Sequence, residues 1–236
     1  MEPKFYFKKV LVFGGHPDDI DFSCAGTVAK MAKEGVEVCY CVLTDGGRGL
    51  QNVKVSNSEM ASMRQTEQQN AAKKCGVGEV IFLGESDGDL ENTPEVRKKI
   101  VRTIRELKPE LIISWDPANM NFDNFYRFHR DHRMTAEAVF DAVYPAAGSD
   151  AYFTDLMDEG FVPHQIKGMW FFGTENPDLF IDISDTIEDK IAALREHVGQ
   201  FNDVEGIEKH IRERAEEAGK NINVKYAESF RSIYFK

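Results

Sequence analysis

The sequence predicts an α/β fold in a single domain over residues 1–236, built on an open, mostly parallel sheet with helices on both faces. Three observations carry this. Short apolar runs alternate with stretches of helical periodicity through the first half of the chain. Each run stops at glycine or at an Asp-Gly or Asp-Pro pair, as buried parallel strands do. No repeat, low-complexity tract or Pro/Gly-rich linker marks a boundary.

The elements follow in order. KVLVFG (9–14) reads as the first strand. Ile20, Cys24, Val28, Met31 and Ala32 then recur at helical spacing over 20–34, and Gly35 closes that helix. VEVCYCVLT (36–44) is the second strand, ending at Asp45-Gly46-Gly47, and a Ser/Asn-containing loop leads to a helix over about 57–75. VIFL (80–83) is the third strand, 84–90 a polar loop, about 94–107 a helix, and LIISW (111–115) the fourth strand before Asp116-Pro117. The second half is less regular: helices are predicted over 129–144, 185–198 and 204–219, and strands over 169–173 and 179–183. Strand–helix–strand repetition implies right-handed crossovers and a parallel sheet.

Composition sets the outer limits. With 42% hydrophobic and 29% charged residues the chain can bury a core of its own, so a metal is not needed as a staple. A formal charge of −11, from 29 Lys+Arg against 40 Asp+Glu, opposes binding to phosphate backbones and anionic lipid, so neither nucleic acid nor membrane is expected as a partner. No apolar run approaches the ~20 residues that span a bilayer. The first residues mix charge with apolar side chains and lack a small-residue cleavage site, unlike a signal peptide. Cys24, Cys39, Cys41 and Cys75 form no CxxC spacing and read as buried, reduced thiols, which fits a cytoplasmic protein.

Open parallel sheets bind ligands beyond the carboxyl ends of their strands. Three polar segments fall there: Gly14-Gly15-His16-Pro17-Asp18-Asp19, Asp45-Gly46-Gly47-Arg48, and the stretch from Asp116 to His129-Arg130-Asp131-His132. His16 and Asp19 are three apart at a helix start, and His129 and His132 repeat that spacing. Two histidines and a carboxylate, with one position left for water, make the donor set of hydrolytic zinc sites. Asp18, beside a ligand but aimed elsewhere, suits a general base. His-Pro-Asp-Asp would also serve as a plain helix start, with Pro in the first turn and Asp on the dipole. That accounts for Pro17 and one aspartate but not for a histidine after two glycines.

GGHPDDIDFSCAGT (14–27) resembles the HPDD signature of the PIG-L superfamily of LmbE-like N-acetylglucosaminyl deacetylases, and HRDH (129–132) resembles its HxDH signature. The likeness extends through LTDGG (43–47), Arg64 to Glu67 with Ala71-Ala72, and FLGESDGDL (82–90). It continues more weakly through PHQIKGMWFFG (163–173), FIDIS (180–184) and ALREHVGQF (193–201).

This resemblance implies a Rossmann-like fold and one divalent metal, usually Zn²⁺ with Fe²⁺ as the alternative. It implies hydrolysis of the acetamide on a small amino-sugar substrate, and a homo-oligomer, trimer or hexamer. Matched residue by residue, His16, Asp19 and His132 fall on the metal ligands and Asp18 on the general base. His129 falls on the histidine that stabilises or protonates the tetrahedral intermediate, expected here in its protonated form, and Asp131 on its orienting partner. Arg64 and Asp87 fall on substrate contacts. Ile20, Ser23 and Arg130 depart from residues common in the family, and Arg127 stands where some members carry a tyrosine. His164, His197 and His210 have no ligand partner in sequence; His210 reads as solvated, the other two as structural or at the edge of the site. Hydrolysis of another amide, such as a thiol conjugate, and a catalytically silent sugar-binding module are the competing readings.

Overall fold

The computed structural model describes residues 5–49, 55–122, 124–200 and 203–235. Its first half is the predicted alternation: β1 (Lys9–Gly14), α1 (Asp19–Lys33), β2 (Glu37–Thr44), α2 (Asn57–Lys74), β3 (Glu79–Glu85), α3 (Pro94–Leu107) and β4 (Leu111–Trp115). The loop expected before α2 falls partly on residues 50–54, outside the described residues. Then come α4 (Arg130–Asp141), the short α5 (Thr154–Asp158), β5 (Gly168–Phe172), β6 (Leu179–Asp182), α6 (Ile187–Leu194), α7 (Val204–Gly219) and β7 (Ala227–Tyr234).

The strands form one sheet in the order β3-β2-β1-β4-β5-β7-β6. β1 to β5 are parallel neighbours, with Val10 opposite both Val38 and Leu111, while β7 pairs antiparallel with β5 and β6. Alternation along each strand explains the unbroken apolar runs. Val10, Val12, Tyr40 and Ile113 face a core closed by α1, α2 and α6, whereas Leu11, Phe13, Cys41 and Ile112 face a second core under α3 and α4. A strand covered on both faces has no polar side to show. Ser56 and Glu59 build a reciprocal capping box at the start of α2, and Thr93 with Pro94 starts α3; each cap contributes about 1 kcal/mol.

Two features depart from the sequence-based expectation. The helix predicted over 129–144 stops at Asp141, and the chain passes into a wider helical turn over 142–147 containing Pro145, whose ring nitrogen has no hydrogen for the α ladder. β7 was not foreseen, because Glu228, Ser229, Arg231 and Ser232 interrupt its apolar pattern. The buried Glu228 has a specific task. α1 breaks at Cys24, which frees backbone N–H groups, and the Glu228 carboxylate accepts from Gly26 N (3.1 Å) and Thr27 N (2.7 Å). Lys190 Nζ, 2.5 Å away, neutralises it. A strand residue thus caps a second helix start inside α1. The carboxyl ends of β1, β2 and β4 point to one edge, where the polar loops meet.

Candidate metal centre

The Gly-Gly turn after β1 brings the chain close to α4. A Cβ on Gly15 would lie 3.1 Å from both Asp19 Oδ2 and Thr135 Oγ1, so the turn tolerates little more than hydrogen there. Asp19 opens α1, and its Oδ2 accepts three N–H groups: Gly15 N (2.8 Å), His16 N (3.0 Å) and Trp115 Nε1 (3.1 Å). Its Oδ1 lies 3.0 Å from His132 Nε2. Asp18 turns the other way. It has φ +106°, a conformation that costs a non-glycine residue energy, and its side chain caps nothing. Its N–H donates to Gln68 Oε1 (2.8 Å), and its Oδ2 lies 3.0 Å from Arg64 Nη2.

From the other side, α4 presents His132 one turn inside the helix and His129 at its cap. His132 Nε2 is 3.1 Å from His16 Nδ1, and its Nδ1 lies 2.6 Å from the Tyr126 carbonyl, a contact that puts the proton on Nδ1. Trp115 lies flat on the His132 ring, with centroids 4.1 Å apart. Gly173 leaves room for it, since a Cβ there would come within 2.5 Å of the indole.

The resemblance implies that Asp131 orients His129, but its carboxylate turns to His16. Oδ2 is 2.9 Å from His16 Nε2 and accepts Gly88 N (2.6 Å), while Oδ1 accepts Leu90 N (3.3 Å). The His129 ring lies against those of His16 and His132, and it meets Asp131 through the backbone, whose N–H donates to the His129 Nδ1 at 3.3 Å. The proton of a neutral His129 is thereby placed on Nε2. Asp87 Oδ1 is 3.3 Å from His16 Nε2, and its Oδ2 accepts Arg48 N at 2.9 Å. Arg64 is buried rather than a solvated helix charge: it donates to the Pro17 (2.6 Å) and Gly46 (3.1 Å) carbonyls as well as to Asp18.

The arrangement fits a small divalent ion. His132 Nε2 lies 3.0 Å from Asp19 Oδ1 and 3.1 Å from His16 Nδ1, close to the edge of roughly 3.3 Å that donors ~2.0–2.1 Å from a tetrahedral metal would have, and His16 Nδ1 lies 3.7 Å from the other Asp19 oxygen, Oδ2. The remaining nitrogen of each histidine is committed to an oxygen, which fixes ring and tautomer as metal-binding histidines require. His16 also groups with His129 and His132, and separately with Asp87 and Asp131, each set within 4.8 Å. Those sets are less suitable as ligands. His129 spends Nδ1 on a backbone N–H, and Asp87 and Asp131 meet the opposite edge of the His16 ring from His132.

The electrostatics agree. Burial lowers the His16 imidazole's pKa, yet Asp131, Asp19 and Asp87 hold it well above the ordinary histidine range. Burial opposes ionisation of Asp19, and His132 and His16 outweigh it, keeping the carboxyl well below the usual carboxylate range. The carboxylates around His16 therefore favour positive charge on its ring. Burial pushes the Asp18 carboxyl up, Arg64 pulls against this, and Asp19 adds to the rise. His129 goes down, first through burial and then through His16 and His132.

Gln68, Trp115 and Tyr126 reach the site without having been singled out from sequence. Their signals were available: Gln68 is one turn beyond Arg64, Trp115 ends β4, and Tyr126 stands beside Arg127. Ile20 packs into the core, Arg130 reaches Glu91 at 3.2 Å, and His164 lies 2.6 Å from the Pro109 carbonyl, away from the site. His197 is fully buried against Asp21, and His210 is exposed on α7.

Residues 11–143 match the family described as PIG-L, GlcNAc-PI de-N-acetylase. The chain is 37% identical over 234 residues to diacetylchitobiose deacetylase of Thermococcus kodakarensis, covering 98% of this chain and 85% of that protein. It superposes with a TM-score of 0.90 on N,N'-diacetylchitobiose deacetylase from Pyrococcus horikoshii complexed with its inhibitor MPG, at 31% identity over 97% of this chain and 85% of that one. Over 61% of its length, and 54% of the relative's, it is 28% identical to mycothiol S-conjugate amidase of Streptomyces coelicolor. With the family matched over more than half the chain and both signatures at one buried cluster, the chain belongs to the PIG-L family of de-N-acetylases.

Proposed function

We propose that this protein hydrolyses the N-acetyl amide of a small N-acetylglucosamine-containing molecule, releasing acetate and a free amine, with Zn²⁺ as its metal. One observation carries the reading: donors of His16, Asp19 and His132 converge, while a separate carboxylate, Asp18, is held beside them by Arg64. The relation to diacetylchitobiose deacetylase supports the amino sugar as substrate class.

When bound by His16, Asp19 and His132, the ion supplies Lewis acidity, polarising the acetyl carbonyl and lowering the pKa of water to about 7. Asp18 accepts the proton of the attacking water. Burial raises this carboxyl and so strengthens it as a base, while Arg64 keeps it ionised and aimed. Arg64 and Asp87, 3.7 Å apart, form the wall where substrate contacts are expected, with the Arg64 guanidinium itself held by Pro17, Gly46 and Asp18. His129 acts as a neutral donor: its Nδ1 is taken by the Asp131 N–H, so Nε2–H is the group it can offer to the developing oxyanion. Asp131 positions His16 instead of His129. As the C–N bond breaks, the proton held by Asp18 returns to the amine.

A silent sugar-binding module has no use for a general base held in a costly backbone conformation, and that opposes the non-enzymatic alternative. Likeness to an S-conjugate amidase keeps a second amide class in play. Buried free thiols at all four cysteines support a reducing, cytoplasmic setting. The test is acetate release by metal-loaded protein from N-acetylglucosamine glycosides, including diacetylchitobiose, beside thiol-conjugate amides, with elemental analysis of the purified chain. Turnover of the glycosides with about one Zn²⁺ per chain is expected. Cleavage confined to the thiol conjugates would assign the amidase reading, and iron at stoichiometric occupancy would replace zinc.

A further inference from the structure

We propose that Gln68, Asp21 and His197 form a buried hydrogen-bond relay that holds the Asp18 peptide in its left-handed conformation and so aims the Asp18 carboxylate. This inference rests on Asp18 being the general base.

Asp18 is held from two sides by one face of α2. Arg64 fixes its carboxylate, and Gln68, four residues on and therefore above Arg64 on the same face, takes its backbone N–H at 2.8 Å. A residue with φ +106° keeps that conformation only where its surroundings over-determine it. A glutamine amide could present either end to Asp18. Here the choice is made by the next residue in the chain of bonds: Gln68 Nε2 donates to Asp21 Oδ2 at 2.8 Å, which leaves Oε1 for Asp18. Asp21 Oδ2 in turn lies 2.8 Å from His197 Nε2. All three side chains are fully buried.

The relay links three elements that pack over one core. Asp21 lies in α1 and Gln68 in α2, and His197 lies just beyond α6. An aspartate and a histidine within an apolar layer cost desolvation that leucines would not, so their presence calls for a directional task. None of the three is among the converging metal donors. They are positioning residues, acting on the reaction through Asp18.

The test uses full-length, metal-loaded protein. Gln68→Met keeps length and volume but loses both bonds. His197→Leu removes the donor to Asp21, and His197→Gln restores it, since the glutamine amide nitrogen can occupy the Nε2 position. Gln68→Met and His197→Leu should lower kcat per metal-loaded chain by about 10- to 100-fold with KM and metal content unchanged, the scale of a misaimed group. His197→Gln should recover most of the loss. A purely structural role would lower thermal stability while leaving kcat of the folded, loaded enzyme intact, and that result overturns the relay. Loss of metal in place of kcat overturns it too. Asp18→Asn, measured in parallel, separates the two readings: full turnover there removes the base assignment itself, whereas an inactive Asp18→Asn beside a normal Gln68→Met removes only the relay. Should Gln68→Met not fold, the His197 pair decides alone.

Discussion

Trp115 lies parallel to His132, with 13° between the ring planes, and the same indole donates its N–H to Asp19. One side chain at the end of β4 thus touches both His132 and Asp19, two of the three residues proposed to hold the metal. Trp115→Phe should keep the stack and lose the N–H. The fold should persist by circular dichroism, while a competitive chelator titration should show metal affinity reduced about 10–100-fold, as for other supporting contacts.

Asp18 and Asp19 offer the sharpest contrast, because neighbours of identical chemistry have different partners. Asp18→Asn should retain the metal and lose about 10²–10⁴-fold in kcat with KM little changed. Asp19→Ala should lose the metal itself. Metal content measured beside single-substrate kinetics checks both, and an Asp18→Asn variant that arrived metal-free while Asp19→Ala stayed loaded would reverse the assignments.

Asp131→Asn distinguishes the partner seen in the structure from the one the family resemblance implies. With its carboxylate on His16 Nε2, the variant should bind metal about 10–100-fold more weakly. Were its task to orient His129, kcat would fall at unchanged metal affinity.

The pH dependence of stability should carry a signature of His197. Burial lowers its imidazole's pKa, but the hydrogen bond and charge of Asp21 more than offset this, leaving it above the ordinary value. A group raised on folding contributes fully below its unfolded pKa of about 6.5 and loses that contribution as pH rises through the higher folded value. Urea midpoints of wild type should therefore decline, relative to His197→Gln, as pH rises above about 6.5. Parallel curves for the two proteins would show that His197 does not titrate in that window.

Chelation should leave the chain folded. Both cores are built from apolar side chains, mostly of strands and helices, and a chain of this length buries enough of them to fold without an ion. Far-ultraviolet dichroism of stripped protein should match that of the loaded form, with activity absent and recovered on adding Zn²⁺. Global unfolding on chelation would make the ion structural.

Much of this was legible in the sequence because it depends on local pattern. Doubly covered strands need continuous apolar runs, so β1, β2 and β4 announce themselves. His16, Asp18 and Asp19 stand where a strand hands over to a helix, and the HxDH stretch heads another helix, so the site's two halves could be read before they were seen together. What escaped depends on distant partners. Glu228 makes β7 look polar until Lys190 and the break in α1 are beside it. The turn of the Asp131 carboxylate toward His16 depends on the Gly88 and Leu90 amides arriving from another loop. Gln68 has no titratable or ligating group to signal it, His197 could be read only as structural or at the edge of the site because its partner Asp21 is distant in sequence, and Trp115 looks like any strand-end aromatic until His132 lies against it.

The placement of β7 bears on the order in which the molecule can be made. It lies later in the chain than β6 yet stands between β6 and β5 in the sheet, so β6 has no neighbour to join when it leaves the ribosome. Until residues 227–234 follow, the α1 amides that Glu228 caps are also unanswered. The five parallel strands can assemble during synthesis, while this flank must wait for the last of its strands. A nascent chain stalled after α7 should therefore be cut by protease within 179–226 while β1 to β5 resist, a difference that release of the full chain should abolish.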